Sequence, residues 1–220
     1  MPDVHGQTRF RELKTPRAAA VAGILFAALF ASSFVLVRTA LPADSFAGTE
    51  WVGRSGSKIS VALVLAPFAG IAFLWFVAVV RDWIGDLEDR FFSTVFLGSG
   101  LLFLAMFFVS MAVGGGVLAF SRQYDVPQSE IVYFGREVML QINDIYALRM
   151  AAVFMISLGT IWLRTGLMPR WLAVITYLVA LILLVVVSFS FWVTLLFPAW
   201  VLVISVFILA NDRDESTRPS

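Results

Sequence analysis

Charge is spread along this chain in a way that leaves few folds open to it. Five runs contain no Asp, Glu, Lys or Arg: residues 18–37, 59–80, 91–121, 150–163 and 171–211. A helix needs about 20 apolar residues to cross a hydrocarbon layer about 30 Å thick, and within that layer only helices and closed barrels satisfy their own backbone. Runs of this length read as helices, so the expected fold is all-α, a polytopic membrane helix bundle.

The runs at 18–37, 59–80 and 91–121 each supply one span, and Pro67 near the middle of the second predicts a kink. The run at 171–211 would make a helix about 60 Å long, too long for a bilayer. It must fold back as a hairpin, with the turn expected near residues 188–191 and Pro198 inside the last span. The run at 150–163 is too short. Gly166 and Pro169 break the helix between Arg164 and Arg170, and counting about 20 residues back from Arg164 starts this span near Asp144. Arg149 then lies about 22 Å from the Arg164 end, inside the hydrocarbon. About six spans result, a membrane domain at 18–211 between a basic tail at 1–17 and a polar tail at 212–220. The first apolar stretch exceeds the roughly 7–15 residues of a secretory signal, so it is expected to be retained.

Lys and Arg set the orientation. With the N-terminus inside, ten of them fall on the inner side, Arg17, Arg81, Arg164 and Arg170 included, and six on the outer side: Arg38, Arg54, Lys58, Arg122, Arg136 and Arg149. Both termini are therefore expected to be cytoplasmic. Trp83, Trp162 and Trp171 are expected at the inner interface, and Trp51 and Trp192 at the outer one.

Composition excludes several chemistries. Charged residues make up 14% of the chain, against about 25% in soluble domains. A net charge of +1 argues against nucleic acid as a partner, which a basic patch would have to neutralise. There is no Cys, and the only histidine is His5, so disulfides, thiolate metal sites, a bis-histidine haem and a serine triad are ruled out. No phosphate-binding GxxxxGK[ST] run is present. No catalytic, cofactor or metal residues are expected, and the chain leans away from being an enzyme.

The residues that stand out are polar ones at span edges. Arg149 reads as an anion contact or as a structural arginine snorkelling to the headgroups. At 100° per residue, Glu130, Glu137, Gln141 and Asp144 fall in one wedge of about 60°, either lining a vestibule or forming a solvated face. Arg149 falls well off that wedge. Arg38, at the outer end of the first span, should sit at the depth of Asp144, which suggests an Arg38–Asp144 pair between helices. Gly114, Gly115 and Gly116 read as a hinge, a packing site or a helix end; Gly98, Gly100, Ala66 and Gly70 read as packing contacts. Asp82, Asp86, Glu88 and Asp89 form an acidic inner loop without the spacing of a calcium site.

The strings PFAGIAFLWF at 67–76, GDLEDRFFSTVFLGSGLLFLAM at 85–106 and RTGLMPRWL at 164–172 resemble those of uncharacterised multi-pass membrane proteins of actinobacteria. The resemblance covers most of the chain. It implies a bacterial plasma membrane and carries no site residue, because no activity attaches to the family. Three functions remain open: a non-catalytic accessory or assembly protein, meeting the lipid bilayer and a membrane-protein partner or a second copy; a small transporter using Arg38, Asp144 and Arg149; and an enzyme acting on lipid.

Overall fold

The computed structural model describes residues 15–41, 50–84, 90–123, 129–166, 168–185 and 191–216. Among them every regular element is helical: α1 (Thr15–Ala40), α2 (Glu50–Ile84), α3 (Arg90–Gln123), α4 (Ser129–Gln141), a π turn (Ile142–Ala147), α5 (Leu148–Thr165), α6 (Arg170–Val185), α7 (Phe191–Thr194) and α8 (Leu196–Ser216). Four stretches are long and apolar enough to cross a membrane: Arg17–Ala40, Arg54–Asp82, Phe91–Gln123 and Glu130–Thr165. The apolar parts of the last two helices, Arg170–Val185 and Leu196–Ala210, are shorter.

Cross-contacts show that neighbouring helices run antiparallel. Gly23 meets Phe76 while Ser33 bonds the Ala62 carbonyl. Gly70 meets Phe108 while Gly115 meets Leu63, and Gly100 meets Phe154 while Gly135 meets Val117. Thr176 takes a hydrogen bond from Trp200, and Trp171 packs on Phe207. The run at 171–211 therefore doubles back, as its length requires. Residues 186–190, most of the expected turn, lie outside the described residues, and Phe191 already begins α7. Pro198 sits in the first turn of α8, where a missing N–H costs nothing because first-turn amides have no intrahelical partner. The chain enters and leaves the bundle at two ends. One carries Arg17, Arg81 and Arg164, with the Arg164 guanidinium over the Phe92 ring; the other carries Arg38, Lys58 and Arg122.

A cluster of rings fills the interior between the helices. Phe26, Phe30, Phe73, Phe103, Phe107, Phe154 and Phe197 are all fully buried and come from α1, α2, α3, α5 and α8. Their centroids approach to 4.8 Å for Phe26–Phe73, 4.7 Å for Phe30–Phe107 and 4.7 Å for Phe103–Phe197. Lipid tails are as apolar as these side chains, so burial alone gives little drive in a bilayer and close packing must supply it. Aromatic pairs at such separations add about 0.5–1.5 kcal/mol each beyond area.

Two expectations need correcting. Trp162 is not interfacial. It is fully buried, 6.1 Å from Trp200, because it falls on the inward face of α5 with Ala151, Phe154, Met155 and Leu158. Trp171 is exposed. The three glycines of α3 sit within a continuous helix, and two of them are packing contacts as the second reading has it. The helix runs through them, with Gly114 against Met139, Gly115 against Leu63 and Gly116 facing open space. Gly98 likewise faces open space rather than a neighbour. The helix α2 is continuous through Pro67. Asp82 is exposed on the last turn of α2, whereas Asp86, Glu88 and Asp89 lie outside the described residues, as does His5.

Candidate functional site

The polar side chains gather at the Arg38 end, where α1 stops against the seam between α4 and the π turn. The helix from Ser129 to Thr165 does not break there. It widens, and the Leu148 amide bonds the Asn143 carbonyl, five residues back instead of four. Upstream, Ser110 of α3 donates to the Met139 carbonyl at 2.9 Å, and Gly135 lets α4 approach Val117 of α3. The chain is thus held against α3 on the α4 side of the widened turn.

Asp144 is the centre of the arrangement. Its Oδ2 lies 3.4 Å from Nη1 of Arg38, a loose pair beside the roughly 2.7–2.9 Å of a tight charge-assisted bond. Its Oδ1 accepts from Asn143 Nδ2 at 3.0 Å, and Thr194 of α7 stands near the same carboxylate. Asn143 and Thr194 are buried, so neutral polar side chains and one cation surround the carboxylate. The other amide atom of Asn143, Oδ1, is buried without a hydrogen-bond partner.

Beside this pair lies a cleft of about 270 Å³, lined by Arg38, Arg136, Glu137, Leu140, Gln141, Asp144 and Ile145. Arg136 and Glu137 form a close ion pair, with 14% and 39% of their side chains exposed; Arg38 and Asp144 are 22% and 20% exposed. The cleft therefore holds two guanidinium groups and two carboxylates in a mostly buried setting. Across the same end, Arg122 of α3 donates to Ser60 Oγ of α2 at 3.0 Å.

Of the residues singled out by sequence, the structure brings Arg38, Glu137, Gln141 and Asp144 to one cleft. Glu130 is exposed in the first turn of α4 and does not line it, and Arg149 is half-buried on α5 and does not line it either. The π turn does change the arithmetic for Arg149. One extra residue in the turn sets α5 back by about 100° relative to an unbroken helix, which brings Arg149 round to the side of the helix that carries Glu137 and Gln141. Arg136 is the cleft residue that the wheel missed, since it sits about 100° from Glu137; its adjacency to that acid was the available signal. Asn143 and Thr194 gave none.

Comparison with family models, curated proteins and solved structures finds no match of any of the three kinds.

Proposed function

We propose that the chain is a six-span plasma-membrane protein of the actinobacterial multi-pass type its sequence resembles, with both termini cytoplasmic, acting as a non-catalytic accessory or assembly component. One observation carries the reading. Phenylalanine rings from α1, α2, α3, α5 and α8 pack together inside the bundle, while the charged groups of the cleft stay at one end. That division suits a protein that works by contact at its outer end and along its lipid-facing sides, with a second copy or another membrane protein as partner. Gentle extraction from the native membrane should recover a defined stoichiometric assembly. A strictly monomeric, partner-free protein would overturn the assignment.

Orientation follows the excess of Lys and Arg at the Arg17 end. The chain has no native Cys, so single cysteines report sidedness cleanly. A cysteine at position 130 should be labelled from outside only and one at position 82 from inside only; the reverse pattern inverts the topology.

The cleft favours a second reading, a small transporter whose outer vestibule is bounded by Arg38 and Asp144. That reading requires solute flux in proteoliposomes, lost in Asp144→Asn and in Arg149→Leu with insertion intact.

A further inference from the structure

We propose that the cleft between the end of α1 and the α4–π-turn face binds a phosphoethanolamine group, a phosphate joined to a primary ammonium, presented as the headgroup of a lipid in the adjoining leaflet.

The argument begins with the signs of the lining charges. Arg38 and Arg136 stand with Glu137 and Asp144 around one space, so the lining is neutral among the described residues but strongly polar. A simple anion entering it would face two carboxylates, and a simple cation two guanidinium groups. Like charges brought together in a mostly desolvated site are costly. A zwitterion meets both signs at once. Its phosphate takes the planar N–H donors of the arginines, which suit oxyanions, and its ammonium gives protons to the carboxylates and to the Gln141 side-chain carbonyl. The Arg38–Asp144 contact, at 3.4 Å, is long enough for a ligand atom to compete with it.

Size and surroundings narrow the choice. At about 270 Å³, the cleft lies below the roughly 300–1,000 Å³ of a drug-sized site and suits a small polar group. Leu140 and Ile145 add apolar wall. Tyr133, Phe134 and Tyr146 are exposed on the same helical stretch, as in the aromatic belts that sit at headgroup level. Arg38 is 21 residues from Arg17 along α1, about 32 Å, one hydrocarbon thickness away. Among the described residues no ring lines the cleft, and quaternary ammonium groups are recognised by aromatic cages; a primary ammonium, with three protons to give, matches the acceptors described.

The test uses the full-length protein, purified in a neutral detergent and offered equimolar phosphatidylethanolamine, phosphatidylcholine and phosphatidylglycerol of matched chains. Retained lipid is read by native mass spectrometry. Phosphatidylethanolamine should be retained about tenfold or more over each of the others, the discrimination expected for one charge-assisted contact. The double variant Arg136→Gln/Glu137→Gln keeps the cleft neutral and should lose that preference with its elution profile unchanged. Gln141→Leu, at an exposed position, should weaken retention without a folding defect. In a parallel arm, free O-phosphoethanolamine should displace the lipid only in large excess. Displacement at equal concentration keeps the group but overturns its lipid source. Equal retention of the three lipids, or wild-type preference in both variants, overturns the proposal. The inference rests on the membrane-spanning reading: protein that fails to enter vesicles defeats that reading, whereas inserted protein without headgroup preference defeats only the cleft's ligand.

Discussion

Gly135 offers the sharpest test of how the cleft is held. A β-carbon added there would lie 2.3 Å from Cγ2 of Val117, where carbon atoms prefer about 3.5–4.0 Å. Val117 is buried on α3, and a helical valine has essentially one rotamer, so it cannot turn aside. In Gly135→Ala, α4 must therefore move away from α3 by more than about 1 Å. Overpacking of this kind costs about 1–3 kcal/mol, against a gain of about 1 kcal/mol from replacing glycine within a helix. The net expectation is a loss of up to about 2 kcal/mol. Val117→Ala alone removes two methyl groups and should cost about 1–2 kcal/mol. In the double variant the new methyl occupies the vacated space, so stability should return to within about 1 kcal/mol of wild type, a coupling well beyond the additivity of distant sites. Unfolding by sodium dodecyl sulfate titration in mixed micelles measures all four proteins under one condition. If Gly135→Ala is neutral or stabilising, and its effect is the same with alanine at position 117, then α4 does not rest on α3 as described, and the cleft is not braced from that side.

Three further predictions use the same assay. Arg38→Leu should cost about 1–2 kcal/mol, less than the 3–5 kcal/mol of a fully buried pair because about a fifth of each partner meets solvent; adding Asp144→Leu should recover much of it, and strictly additive losses would deny the pairing. Trp162→Phe should be tolerated within about 1 kcal/mol because the buried Trp162 Nε1 has no acceptor, whereas Trp200→Phe should cost about 1 kcal/mol more by losing the bond to Thr176 Oγ1; equal effects would contradict that contrast. Gly23→Val should be among the most damaging single changes, since a β-carbon there meets Ser205 Oγ at 2.0 Å and Phe76 at 2.9 Å; a variant with wild-type stability would show that α1 and α8 do not meet at this point.

Much of this architecture is legible in the sequence because a charge in hydrocarbon is expensive, so its absence marks the spans. The fold-back of 171–211 follows from length alone. What escaped has specific physical causes. Distance from Arg164 puts Trp162 at an interface, although the spacing of Phe154, Leu158 and Trp162 with Ala151 traces a buried helical face. The acidic wedge assumed 3.6 residues per turn throughout, but the π turn at Ile142–Ala147 carries no local signature and arises where the chain packs on its neighbours. The Arg38–Asp144 juxtaposition was readable from matched depth. The neutral polar groups around Asp144 were not, since Thr194 arrives from a segment 50 residues away. Close contacts such as Gly135–Val117 depend on which helices become neighbours, and a single sequence does not state that.

The helix α2 has 35 residues, about 52 Å of rod, against a hydrocarbon layer about 30 Å thick. Arg54 and Lys58 lie in its first turns. That stretch would stand clear of the lipid as a post about two turns tall. A post of this kind sets a minimum stand-off between the bilayer and anything that approaches from that side, so a partner would meet it before it could reach the cleft.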